Sequence, residues 1–123
     1  DIALNNLEIF VVKKYHQLLV SAVTRGLPFN LTLADVRKLV KRKTCFYTKV
    51  PFDNKTEVHR RTIDRLDCNL GYVKGNVVAC THEANQMKEH FFEHTGFDPE
   101  IVNKIFYSYF TLLAKGKIQP RKI

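Results

Sequence analysis

RTIDRLDCNLGYVKGNVVACTHEANQMKEH, Arg61 to His90, carries strand, turn and helix patterns in a single run. Thr62-Ile63-Asp64-Arg65-Leu66 alternates apolar and polar side chains, which predicts a strand. Gly71 and Gly75 punctuate a turn. Asn76-Val77-Val78-Ala79-Cys80 predicts a second strand, rich in the β-branched residues that suit a pleated surface. Thr81 can cap a helix that starts at His82, with Glu83 in the first turn where negative charge is favoured. The local order is strand, turn, strand, helix. An acid, Asp64, lies in the first strand and an amide, Asn85, lies on the helix. Two such oxygens form a cradle for one hard cation.

Composition bounds what surrounds this stretch. The chain has 123 residues, enough for one domain with one modest core. Its formal net charge is +8, from 20 Lys and Arg against 12 Asp and Glu. That excess favours a polyanionic partner such as nucleic acid, although a solvated basic face accounts for the charge equally well. No run reads as a membrane span or as a signal peptide, so the expected setting is cytoplasmic, without a membrane partner. Three irregularly spaced cysteines do not describe a disulfide scaffold, and a reducing compartment is expected. The first residue is Asp1 and not Met, so a processed, trimmed or partial chain is expected.

Outward from the central stretch, Leu4, Leu7, Phe10, Val11, Leu18, Leu19 and Val23 recur at helical intervals and predict a helix over 3–24. Gly26 and Pro28 end it. Thr32 can cap a second helix over 33–43, with Leu33, Val36, Leu39 and Val40 as its apolar stripe. Arg37, Lys38, Lys41, Arg42 and Lys43 crowd its other side and can track phosphates, or sit in solvent near a helix C-terminus. Residues 45–52 predict a strand or tight hairpin that packs its aromatics into the core. After a break at Gly96 and Pro99, a last helix over 99–115 carries Ile101, Val102, Ile105, Phe106, Tyr109, Phe110 and Leu113 as its stripe. The tail, with Lys115, Lys117, Arg121 and Lys122, is basic. The expected organisation is a single α+β domain, 1–123. It comprises N-terminal helices over 1–44, a core over 45–95, and a C-terminal helix with its tail over 96–123.

If the helix packs across the hairpin, the Asp64 and Asn85 oxygens converge. Two protein oxygens, with water and substrate phosphate in the remaining positions, suit magnesium. A cation so placed stabilises charge during phosphodiester hydrolysis. On spacing alone the plainer reading, a turn acid and a surface amide, weighs more.

Several short motifs in order change that balance. They are Asp64-Arg65-Leu66-Asp67, Gly71-Tyr72-Val73-Lys74-Gly75-Asn76-Val77 and His82-Glu83-Ala84-Asn85-Gln86-Met87-Lys88. Upstream come Arg25-Gly26-Leu27-Pro28-Phe29, Leu31-Thr32-Leu33 and Cys45-Phe46-Tyr47-Thr48. As a set, over roughly 25–92, they resemble the HNH (His-Me finger, ββα-metal) endonucleases, in the phage and mobile-element branch whose first motif carries Asp-Arg-Ile-Asp. The resemblance implies a ββα-metal unit embedded in flanking helices. It also implies hydrolysis of DNA phosphodiesters with one magnesium or manganese ion. Asp64 matches the metal-ligating acid and Asn85 the second metal ligand. Asn76 matches the middle Asn, which fixes the hairpin loop, and Lys88 matches a helix lysine near the DNA backbone. Arg60 and Arg61 are further candidates for contacts to the backbone of double-stranded DNA, with Lys41, Arg42 and Lys43.

The chain departs from the better-known pattern at Arg65, where a histidine would act as general base. A guanidinium stays protonated and can only hold phosphate or steady transition-state charge. His82, one helical turn before Asn85, is the substitute candidate for the base, with His59 ranked below it. Some relatives carry two Cys-x-x-Cys pairs. Here those places hold Cys45-x-x-Thr48 and Cys80-x-x-Glu83, so structural zinc is not expected, and Cys45 and Cys80 read as core neighbours. One active site per chain would nick one strand unless the chain dimerises. A catalytically inactive nucleic-acid-binding or regulatory module on the same fold is the main alternative, with Arg65 as its support. An RNA- or protein-directed role of a basic domain is a third.

Overall fold

A computed structural model describes residues 2–94 and 96–121. Lys122 of the tail lies outside the described residues, as does the side chain of Leu4. The elements are α1 (Ile2–Arg25), α2 (Leu33–Val40), β1 (Arg61–Arg65), β2 (Val77–Thr81), α3 (His82–Lys88), a π-helical turn (Glu89–Glu93) and α4 (Pro99–Ala114). This is an α+β chain whose sheet is a two-stranded antiparallel hairpin. It forms two compact units, Asp1–Gln86 and Met87–Ile123, divided within α3. No helix among the described residues is long and apolar enough to cross a membrane.

In the first unit, Val11, Leu18 and Ala22 of α1 pack with Leu31, with Val36 and Val40 of α2, and with Tyr72. Phe10 and Val23, read as part of the α1 stripe, are exposed. The buried face runs through Leu7, Val11 and Leu18 of that stripe and adds Ala22, beside the expected Val23. Thr32 caps α2 in a reciprocal box: its hydroxyl accepts from the Asp35 N–H, and the Asp35 carboxylate accepts from the Thr32 N–H. α2 stops at Val40, shorter than the expected 33–43, because the Lys41 N–H turns back to the Arg37 and Leu39 carbonyls. Arg42 and Lys43 therefore lie beyond the helix.

Residues 44–51 form a tight hairpin turn. Thr44 and Pro51 pair as an isolated bridge, and the Cys45 N–H donates to Val50 O. Phe46 and Tyr47 were expected in the core but are exposed. The turn is too short to bring its tip residues under another layer.

The strands sit within one residue of their expected limits. Arg61 pairs with Thr81, Ile63 with Ala79, Asp64 with Val78 and Arg65 with Val77. Strand alternation then sorts the side chains onto two faces. Ile63 and Val77 pack on the α1–α2 core. Thr62, Asp64, Val78 and Cys80 take the opposite face. There Cys80 joins Cys45, Ala84 of α3 and Phe52 in a second buried cluster. Thr81 ends β2 and caps α3, its hydroxyl accepting from the Ala84 N–H.

The 66–76 connection is fixed at both ends by Asn76, which is 5% exposed. Its side-chain amide donates to the Asp67 and Gly71 carbonyls, and its carbonyl oxygen accepts from the Asp67 N–H. Gly71 lies so close to Pro28 that a Cβ there would stand 2.1 Å from the Pro28 carbonyl oxygen. The connection thus docks on the 28–30 segment, with the Tyr72 N–H on Pro28 O and the Asn30 N–H on Tyr72 O.

In the second unit the Phe91 and Phe106 rings meet edge to face at 5.2 Å. Asp98 caps α4, and Pro99 opens it. Val102 is buried, whereas Ile101, Ile105, Tyr109 and Phe110 of the expected stripe are exposed. One amphipathic helix against a short turn has too little facing surface to cover them.

Asn76→Ala removes three hydrogen bonds and leaves buried backbone groups without partners. The expected loss is about 2–4 kcal/mol in denaturant unfolding. A loss below about 0.5 kcal/mol, the size of an ordinary surface substitution, would contradict this account of the connection.

Candidate functional site

The face of the hairpin opposite the α1–α2 core carries Asp64. Asp64 is 7% exposed there, and its Oδ2 accepts a hydrogen bond from the Tyr47 hydroxyl at 2.6 Å. Tyr47 reaches it from the 44–51 turn. A buried carboxylate oxygen needs such a donor to replace the hydrogen bonds it loses from water. Sequence reasoning placed Tyr47 among core aromatics and missed this role. The signal was a polar-tipped ring in a turn that the Phe46 N–H anchors to Ala79 O of β2.

α3 meets the same face through Ala84, and Asn85 follows it. The Asn85 side-chain oxygen is buried and has no hydrogen-bond partner. Buried amide oxygens are almost always paired, so an oxygen of this kind marks a place for an ordered water or a ligand, or a point of strain. Among the described residues, no cluster of three or more His, Cys, Asp or Glu side chains is arranged to hold a metal ion. A carboxylate and an amide oxygen are donors of the kind that suit a hard oxygen-seeking cation and not zinc.

Arg65 lies on the other face. Its guanidinium donates to the Cys68 and Leu70 carbonyls at 2.8 and 3.0 Å and sits 5.4 Å from the centre of the Tyr72 ring. It braces the connection, one residue from Asp64 in sequence and one sheet thickness away in space.

His82 starts α3, its N–H on Arg60 O. The Arg60 row is four residues from Asp64 along β1, about 13 Å at strand rise. The imidazole is also occupied. Arg60 Nη2 lies 3.1 Å from Nδ1, and Glu57 Oε1 lies 3.5 Å from Nε2. A guanidinium only donates, so in this contact Nδ1 is the accepting nitrogen. His82 therefore belongs to a Glu57–Arg60–His82 group, completed by the Arg60–Glu57 ion pair at 3.1 Å.

Arg61 packs 4.7 Å over the Phe52 ring and donates to Arg42 O, and burial pushes its guanidinium down from its ordinary value. Burial likewise lowers the Lys14 ammonium, with further lowering from the charges of Arg60 and Arg61. α1 thus adds Lys14 to a basic cluster that no local pattern predicted. Lys41, Arg42 and Lys43 are exposed. Lys88 belongs to the second unit, where its ammonium bonds Glu93 at 2.6 Å. His59 is half-buried, its carbonyl accepting from the Asp53 N–H. Burial pushes the Cys45 thiol up, but donors from Thr48 and Thr81 together outweigh it and bring it down to about 7.

Comparison with known proteins adds viral relatives. The chain is 35% identical over 71 residues to an uncharacterized 29.0 kDa protein of the dda-modA intergenic region of Enterobacteria phage T4. It is 33% identical over 75 residues to the uncharacterized protein R423 of Acanthamoeba polyphaga mimivirus. These stretches cover 58% and 61% of this chain but only 29% and 13% of the two relatives. The chain therefore spans a minor part of the length of each. No family model matches the chain, and no solved structure matches it.

An unpartnered buried oxygen costs stability, and Asn85→Leu removes it at similar volume. The expected thermal midpoint of Asn85→Leu is equal to or above that of the native chain, a gain of up to about 1–3 kcal/mol. A clear drop would mean that the Asn85 oxygen is paired within the fold.

Proposed function

We propose that this chain is a metal-dependent endonuclease of the HNH type that hydrolyses DNA phosphodiesters and is encoded by a phage or mobile element. The observation that carries the reading is the buried, unpartnered Asn85 oxygen on the helix that packs against the Asp64 face of a hairpin. A strand–strand–helix order, a net charge of +8 and a phage relative support it.

In this reading Asp64 and Asn85 hold one magnesium or manganese ion. Held by these two residues, a divalent ion would supply activation of water and compensation of charge on the phosphate and the leaving oxygen. Tyr47 positions the Asp64 carboxylate by donating to Oδ2. Lys14, Arg60, Lys41, Arg42 and Lys43 draw the DNA backbone on by charge. Arg65 takes no proton and reaches no phosphate; it keeps the 66–76 connection in shape. The Nδ1 lone pair of His82 is spent on Arg60, so the water's proton leaves to solvent or to a substrate phosphate oxygen.

The second reading is a nucleic-acid-binding or regulatory module without cleavage. Arg65 favours it: a guanidinium supplies no base after Asp64, and this one is engaged with the Cys68 and Leu70 carbonyls on the opposite face.

Cleavage of supercoiled plasmid with magnesium, manganese or EDTA separates the two. Nicking is expected with either metal and not with EDTA. Asp64→Ala and Asn85→Leu should each lower it at least about a hundredfold, the scale of losing one transition-state contact. His82→Ala should retain most of it. DNA binding without nicking under any metal would establish the module instead.

A further inference from the structure

A cavity of about 360 Å³ lies beside β2, bounded by the C-terminal end of α2 and by the 44–51 turn. Val77, Val78 and Ala79 form its floor, and Leu39, Thr44 and Cys45 close its sides. Arg42, Lys49 and Phe46 complete the lining, so the wall holds two cations and no acid. The volume is within the range of small-ligand sites. The Phe46 N–H donates to Ala79 O, so Ala79 turns its backbone outward from the hairpin. Two residues on, Val77 does the same, which gives the apolar floor a polar backbone edge.

The turn above the cavity is built at some cost. Lys49 has φ 65, in the left-handed region that favours glycine. Its N–H closes the turn onto Cys45 O at 3.0 Å, a bond that glycine would make with less strain. What lysine adds is an ammonium on Phe46 O at 2.9 Å, 5.3 Å from the centre of the Phe46 ring. Tyr47 meets that ring edge-on at 5.2 Å, and Phe46 is 47% exposed. An exposed aromatic ring, held rigid and flanked by cations over a half-polar cavity, has the parts that bind a base and its phosphate.

We propose that this cavity seats one unpaired nucleotide, its base against Phe46 and its phosphate between Arg42 and Lys49. The proposal rests on the nucleic-acid reading above and extends it. The chain selects DNA in which a base is already out of the stack, as at a bulge or single-stranded segment. A paired base cannot enter without the cost of unstacking.

The test uses the whole chain in EDTA, where no cleavage occurs. Its probes are a fully paired duplex and the same duplex with a one-nucleotide bulge of 2-aminopurine. The bulged duplex should bind about tenfold tighter, as one stacked base implies, and 2-aminopurine fluorescence should fall on binding. Phe46→Ala should abolish both effects. Phe46→Leu, which keeps apolar bulk without a ring, should do so too and serves if the alanine variant folds poorly. Lys49→Gly should weaken binding of the bulged duplex without lowering the thermal midpoint. Equal affinity for the two duplexes, or a preference that survives in both Phe46 variants, would overturn the proposal. Asp64→Ala should keep the preference. Failure to nick plasmid with the preference intact would thus count against the nuclease and not against this seat.

Discussion

The pairing of Asp64 with Val78 is the constraint on which the rest of the first unit depends. A hairpin side chain has two possible faces, and a slip of one residue exchanges them all. In the observed register, Ile63 and Val77 reach the α1–α2 core, while Asp64 and Cys80 lie on the opposite face, where Cys80 packs with Ala84 of α3. Slipped by one, the acid would be driven into the apolar core without a donor, at a cost of several kcal/mol. The register is held from the loop end. Asn76 ties the two ends of the 66–76 connection together, Gly71 lets it press on Pro28, and Arg65 braces its carbonyls. Three residues of the central motif thus act on the geometry of the site without entering it.

That division of labour changes how the motif is understood. Arg65 stands beside Asp64 in sequence, yet strand alternation sends it to the other face. Its place is filled by residues that are distant in sequence. Tyr47 brings a hydroxyl to Asp64 from 17 positions upstream. Glu57 and Arg60 engage both nitrogens of the His82 ring. The Asp64 face therefore holds a carboxylate and a phenol, and the helix that packs on that face through Ala84 carries the Asn85 amide, with the His82 imidazole kept at the far end of the hairpin. In the proposed reading, such oxygens would hold a hard cation and would be poor acceptors of a proton.

Much of this fold was legible because its signals are local. The alternation in 62–66, the β-branched run of 76–80 and the caps at Thr32 and Thr81 each act within a few residues, and each element formed within a residue or two of its expected start. The end of α2 was less legible, since Lys41, Arg42 and Lys43 are all good helix formers and only the turn that follows stops the helix. The aromatics of 45–52 and of α4 misled for a related reason. Apolar character shows that a residue can be buried, but burial needs an opposing surface, which sequence periodicity does not supply. Asp64 and Asn85 were visible as chemistry, while Tyr47, Glu57 and Lys14 were not. Their roles exist only once the 44–51 turn, the 53–60 loop and α1 have been brought to the hairpin.

The central claim is that Asp64 and Asn85 form one oxygen seat for a divalent cation. Substoichiometric manganese added to the ¹⁵N-labelled chain tests it directly, because the ion broadens nearby amide resonances. The account expects early, selective loss of the Asn85 side-chain amide and of the Asp64 backbone amide, with magnesium restoring both. Broadening centred on Glu57 and His82, or spread evenly over the acidic residues, would contradict it.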